Sequence, residues 1–271
     1  MDRLTLDAAY LSGEKLYGND FDADQLRAWY AAEEYGYYQL YRGEAELAET
    51  TFPYRAVNRA DGAALRGRHY PVCLVLGCAE GDDLTALELD LGRIIAIEPA
   101  DQCWADNVGG VPAEFRKPTL DGTIDLADGS VDLVVCLSVL HHVANVEHVV
   151  RELGRVLKSG ESMLVREPIS SMGDFRGPRP GLTRFERGIP AAMMRRFIES
   201  AGLKVTRQVY RNTPGMPEVA GKLGVLAFNT PLLVMLDRAI SAVSRFNDRY
   251  WREAKLAKLA PRWVTFIARK G

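Results

Sequence analysis

The chain has little of what marks many kinds of protein. Among its 271 residues are four histidines and four cysteines, Cys73, Cys78, Cys103 and Cys136, with no C-x-x-C pair and no His/Cys spacing typical of a metal site. The scattered thiols sit in or beside apolar runs, which predicts buried reduced cysteines and a cytoplasmic location and argues against a disulfide framework. Neither sign of charge dominates, with 34 basic and 36 acidic residues and a net charge of -2, so no global field draws the chain to nucleic acid or anionic lipid. A basic surface can still exist locally. No basic strip interleaved with aromatics appears, and no nucleic-acid partner is expected. The first twenty residues carry Asp2, Arg3, Asp7, Glu14 and Lys15, so no apolar core of a signal peptide is expected there. The longest uncharged apolar stretch, Leu223 to Leu236, is broken by Asn229, Thr230 and Pro231 and is shorter than the about 20 residues of a membrane span. Repeats and low-complexity tracts are absent.

What is present falls into three zones. Residues 1–69 are rich in acids and hold eight of the eleven tyrosines, with a helix expected from Asp24 to about Glu49, which suits an extension or lid. From Tyr70 to about Ile169, strands apolar on both faces alternate with helices: Val72–Leu76, "RIIAIE", "AEFRK", Val131–Ser138 and "ESMLVREP" as strands, with helices from "DDLTALELDLG", "PADQCWADNVG" and "NVEHVVRELGRVLKSG", this last stopped by Gly160. Such strands build a parallel sheet covered on each side. The third zone adds the loop Gly173–Pro190, the helix "AAMMRRFIESAG", the strands "LKVTRQVY" and "RWVTFIARK", and a helical insertion between them at about 211–261, with a helix from about Pro231 to Phe246.

The glycine turn after the first strand, "LGCAEGDD", lets a ligand approach the backbone. It departs from the dinucleotide pattern G-x-G-x-x-G, with Ala79 and Asp82 in place of the second and third glycines. Asp82 and Asp83 would repel a pyrophosphate and suit a cationic or zwitterionic ligand. Glu98 closes the second strand twenty-one positions after Gly77, where an acid can bind the hydroxyls of a ribose; the alternative is an ordinary surface acid.

These stretches, with "IIAIEP", "DLADGSVDLVVCLSVLHHV" and "VVRELGRVLKSGESMLVREP", resemble the class I S-adenosylmethionine-dependent methyltransferases over about Tyr70 to Pro168 and the closing strands. The resemblance implies a Rossmann-like α/β fold, a mostly parallel seven-stranded sheet with helices on both faces, and S-adenosyl-L-methionine as cofactor. Carried onto this sequence, it places Gly77, Cys78, Ala79 and Gly81 at the methionine half, Glu98 at the ribose, Asp121 or Asp125 at the adenine, and Ser138 at the cofactor edge of the fourth strand. Val75 and Ala79 depart from the family pattern, which has an acid and a glycine there.

Histidine suits removal of a hydroxyl proton near neutral pH, and His141 and His142 follow the fourth strand at its functional edge. Either is a candidate base, and both can instead be packing residues of that turn. Tyr37 and Tyr38 of the first zone, and Arg184 and Arg187 of the Pro/Gly-rich loop, are candidate acceptor contacts, against ordinary helix packing and a solvated loop. The expected activity is methyl transfer to a hydroxyl of a small molecule or glycan. A cofactor-binding protein without turnover and an NAD-dependent oxidoreductase are the alternatives. The helix from Pro231 reads as a lid or an oligomer contact, making a homodimer possible, with an interfacial role near a lipid-linked acceptor as the alternative.

Overall fold

The computed structural model describes residues 4–45, 52–252 and 254–271; residues 35 and 37–45 are described in backbone only. In chain order the elements are α1 (Ala8–Ser12), α2 (Ala23–Ala45), α3 (Arg55–Asp61), β1 (His69–Leu76), α4 (Asp82–Thr85), β2 (Asp90–Ile97), β3 (Asn107–Val108), β4 (Val111–Arg116) and β5 (Val131–Leu137). They continue with α5 (Val146–Val156), β6 (Leu157–Pro168), α6 (Ala191–Ser200), β7 (Leu203–Arg211), α7 (Met216–Lys222), α8 (Pro231–Ser244) and β8 (Trp263–Lys270).

One sheet runs β3-β4-β2-β1-β5-β6-β8-β7. The strands β4, β2, β1, β5 and β6 are mutually parallel, and β8 pairs antiparallel with both β6 and β7. The expected seven strands are present, joined by a two-residue eighth. That addition replaces the helix expected over "PADQCWADNVG", of which one 3-10 turn remains at Asp101–Cys103. The cause is the pair Gly109-Gly110, at φ +59° and +85°, which forms the two-residue hairpin turn that sends β3 back as β4.

Two further boundaries differ from the sequence reading. The helix after the glycine turn is a single turn and does not reach Gly92; Gly92 lies in β2, where a Cβ would stand 2.7 Å from the Pro71 carbonyl oxygen of the neighbouring strand. Helix α5 ends at Val156, and Gly160 lies within β6.

Side chains alternate across the central strands. Leu74, Leu76, Ile95 and Val134 pack with Val149, Val150 and Leu153 of α5, while Cys73, Val75, Ile94 and Leu133 pack with Leu84 and Leu87 on the other face. The N-terminal extension and the insertion share a smaller core of Val57, Ala220, Phe228 and Val234. A buried ion pair pins that layer to the sheet: Arg211 at the end of β7 donates to Asp61 Oδ1 at 2.6 and 3.0 Å and to the Val234 carbonyl, and Thr265 of β8 donates to Asp61 Oδ2.

Candidate active site

Strands β1, β2 and β5 end at one edge, and the candidate residues gather there. The turn after β1 carries three left-handed residues, Gly77, Ala79 and Gly81, at φ +66°, +43° and +86°. A Cβ on Gly77 would meet Val139 Cγ2 at 2.3 Å, and one on Gly81 would meet Val108 Cγ1 at 2.1 Å, so these glycines admit two valines that close against the turn. The cavity left beneath it, about 10 Å³ between Gly77, Cys78, Asp83 and Val135, is the size of one water. Ala79 holds a conformation that glycine adopts more readily, because an L residue enters the left-handed region at a cost of about 1–2 kcal/mol. Glycine offsets part of that gain through its greater chain entropy. Ala79→Gly is therefore expected to raise stability by up to about 1 kcal/mol, read in thermal or denaturant unfolding. A clear loss of stability would show that the Ala79 methyl group packs usefully.

Glu98 lies at the end of β2, only 3% exposed. Its Oε2 accepts the Ala79 N–H at 2.9 Å and its Oε1 the Ala100 N–H at 3.0 Å, binding the glycine turn to the segment after β2. The Trp104 indole donates to the Glu98 carbonyl and stacks on Phe115. Cys78 points into the core beside Glu98, and burial with that neighbouring carboxylate pushes its thiol up to about 12, so its backbone is what faces the edge. Of the two acids that open α4, Asp82 is exposed, whereas Asp83 accepts from Asn58 at 2.6 Å and pairs with Arg166 at 2.8 Å. One acid of the pair is thus neutralised.

Ser138 stands exposed at the end of β5 with φ +59°, its N–H given to the Arg166 carbonyl. The turn that follows is the best-braced part of the site. Glu167, at the end of β6, accepts the N–H groups of Val139, Leu140 and His141 and, through Oε2, His141 Nδ1 at 2.8 Å. Arg187 is fully buried over the Trp29 ring and donates to the carbonyls of Tyr17, Leu140, His141, Val143 and Ala144. Burial lowers its pKa to about 10. Its donors are spent on main chain, which makes it a brace of the histidine turn and takes it away from any acceptor. Arg184 is partly buried, donating to the carbonyls of Phe175 and Arg176 and lying over Phe185.

The two histidines differ. His141 is buried between Glu167 and Glu186, whose Oε1 lies 3.6 Å from His141 Nε2; burial and the neighbouring His142 lower its pKa, against the pull of the two carboxylates. His142 is partly exposed, its Nδ1 3.0 Å from Glu33 Oε2 and 3.2 Å from Thr183 Oγ1. Burial favours a protonated Glu33, but hydrogen bonds from His142, Thr183 and the Phe185 N–H outweigh it and hold that carboxyl below its ordinary value. Glu33 comes from α2, as does Trp29, whose indole donates to the His142 carbonyl at 2.7 Å. Tyr37 and Tyr38 lie further along α2, but their side chains fall outside the described residues.

Asp121 lies apart from this constellation. It occupies an exposed turn in which its carboxylate accepts from the Thr123 N–H and from the Thr119 and Thr123 hydroxyls, and these bonds hold its pKa down. Among the described residues one group has a metal-compatible composition, His141, His142 and Glu186, with a ligand atom of each within 4.8 Å of the others. Tetrahedral zinc needs about 3.3 Å between ligand atoms, so these side chains would have to draw together to hold it.

Glu33, Glu167, Thr183 and Glu186 were not among the sequence candidates. Glu167 had a signal, an acid closing a buried strand at the functional edge. The others come from distant segments whose approach no spacing encodes.

Residues 74–165 match the family model of a methyltransferase domain. No curated protein sequence matches the chain. Among solved structures, an S-adenosylmethionine-dependent methyltransferase from Mesorhizobium loti is 14% identical over 78% of this chain and 96% of its own, with a TM-score of 0.50. A protein assigned as a sarcosine dimethylglycine methyltransferase from Galdieria sulphuraria is 16% identical over 80% and 84%, with a TM-score of 0.52. The [4+2]-cyclase SpnF is 15% identical over 80% and 81%, with a TM-score of 0.50. The fold is that of the class I S-adenosylmethionine-dependent methyltransferases, and its central part, residues 74–165, matches the methyltransferase-domain model. The matched domain lies at the centre of the chain, flanked by an N-terminal extension and the insertion before β8. The fold leaves the acceptor open, since a cyclase shares it.

The family implies S-adenosylmethionine, and the donor set suits it: a buried carboxylate for a diol, beside a glycine turn without a phosphate-binding charge. Glu98 and the backbone of Gly77–Gly81 are the groups that would hold it.

Proposed function

We propose that the protein transfers a methyl group to a hydroxyl of a small molecule or glycan, with His142 as the base. The observation that carries this reading is the Glu33–His142 pair at the carboxyl edge of the sheet. With the Nδ1 proton directed at Glu33, the basic nitrogen of the ring is Nε2, and the nearby carboxylate stabilises the imidazolium that forms when a hydroxyl proton is taken. When bound, S-adenosylmethionine supplies an electrophilic methyl on a sulfonium. The chain's own work is to hold the ribose through Glu98, approach the methionine half with the Gly77, Cys78, Ala79 and Gly81 backbone and Ser138, and keep the acceptor oxygen in line. Asp121 is the adenine partner in this reading, and its turn must approach the sheet edge to serve.

Residues 1–69 act as a cover, supported by the reach of Trp29 and Glu33 from α2 onto the histidine turn. Tyr37, Tyr38 and Arg184 are the acceptor contacts proposed from the cover and the neighbouring loop, and the reaction is placed in the cytoplasm. Among the described residues no helix is long and apolar enough to cross a membrane. The altered glycine motif, with Ala79 held at φ +43°, favours a second reading, a protein that binds cofactor without turnover.

Incubation with methyl-labelled S-adenosylmethionine and a panel of hydroxylated small molecules and glycans separates the two. Label in an O-methyl ether supports the proposal. Tight binding of S-adenosylhomocysteine with no methylated product supports the second reading, and label on nitrogen or carbon overturns the hydroxyl assignment.

A further inference from the structure

Helix α8 is amphipathic in the inverted sense. Its inward side carries Val234, Asp237 and Ser241, and the fully buried Asp237 carboxylate accepts the N–H groups of Asn212 and Thr213 at 3.0 and 2.7 Å. Its outward side is the apolar one. Leu232, Met235, Leu236, Ile240 and Val243 recur at helical spacing and are exposed, Met235 at 69% and Val243 at 72%, and Phe246 just beyond the helix is 86% exposed. The stripe does not end there. The Asn247 side-chain amide donates to the carbonyls of Leu256 and Leu259, fixing beside the end of α8 a 3-10 turn that exposes both leucines. A contiguous apolar face of this kind is the mark of an interaction surface.

Charge decides what covers it. Residues 216–259 hold seven basic and four acidic residues in a chain whose net charge is -2. Asp237 is buried and Asp248 is paired with Arg252, while Glu218 of α7 is exposed and Glu253 lies outside the described residues, so the six exposed cations outnumber the acids left over. Lys222, Arg238, Arg245, Arg249, Lys255 and Lys258 are exposed, and none forms an ion pair among the described residues. A second copy docking through the same face would set this basic rim against itself, since a two-fold interface places each patch against its twin. A bilayer with anionic headgroups meets both demands, taking the apolar side chains into its boundary layer and the cations onto its surface.

We propose that α8 and the 245–259 segment form a docking surface for an anionic membrane, on which the protein lies without spanning it. The insertion leaves the sheet after Arg211 and returns at Trp263, which pairs with Pro168, so it emerges at the edge that bears the histidine turn. Docking would hold that edge close to the bilayer. The inference does not depend on methyl transfer.

Co-sedimentation of the full chain with vesicles tests it, using phosphatidylcholine alone and phosphatidylcholine with phosphatidylglycerol at about two to one. Binding is expected to the mixed vesicles, to weaken with salt, and to fall at least about tenfold in Met235→Glu/Val243→Glu, whose exposed sites leave the circular dichroism spectrum unchanged. Absence of binding to the mixed vesicles overturns the proposal, as does equal binding by the double variant. A dimer in analytical ultracentrifugation that the same substitutions dissociate assigns the face to a second copy and overturns it as well.

Discussion

Glu98→Ala is expected to lower the affinity for S-adenosylhomocysteine by about a hundredfold or more. A carboxylate that binds a diol makes two charge-assisted hydrogen bonds, and losing about 3 kcal/mol between them corresponds to that factor. The same change removes the acceptors of the Ala79 and Ala100 N–H groups, which Glu98 now satisfies. Leaving a buried donor unpaired costs about 1–3 kcal/mol, so the alanine variant should also be less stable. Glu98→Gln separates the effects: it retains an acceptor oxygen for the backbone but loses the charge and puts a donor against the diol. Calorimetry on both variants, with unfolding measured alongside, provides the check. Unchanged affinity in Glu98→Gln and Glu98→Ala would remove Glu98 from the ribose.

His142→Ala is expected to lower kcat by about 10²–10⁴-fold, the range of a lost general base, with S-adenosylhomocysteine binding intact. Glu33→Gln should produce a smaller loss, at least about tenfold, because it still fixes the ring but no longer stabilises the imidazolium. His141→Ala should behave differently. Its ring lies between Glu167 and Glu186 in the interior, so removing it takes the imidazole hydrogen bond from buried Glu167 and leaves a cavity between the two carboxylates, and the damage should appear first as lost stability. Full turnover by His142→Ala at saturating cofactor, with His141→Ala impaired in rate but not in stability, would exchange the two roles.

The legible part of this protein was its sheet. Short runs apolar on both faces, such as Leu133–Leu137 within β5, suit buried strands between layers, and the glycine turn with Glu98 stands at the predicted edge. The elements between strands were read less well because short-range signals compete there. Gly109-Gly110 makes a hairpin where a helix was expected, and α4 is one turn because β2 begins at Asp90. In the site, adjacency in sequence hid a division of labour between His141 and His142. One ring is enclosed by acids from β6 and the 181–190 loop, the other held by an acid from α2. Arg187 shows the limit most clearly: an arginine in a Pro/Gly-rich loop looks like an anion ligand, and only the fold directs it to main-chain carbonyls.

The turn at 139–144 has its amides gathered by Glu167 and its carbonyls by Arg187, one clamp from each side. A peptide segment saturated in this way has few unmet hydrogen-bonding groups to rearrange when a ligand arrives. In the proposed reaction, the entropy of ordering His142 as base would be lost once, during folding, and would not recur as a barrier in each turnover.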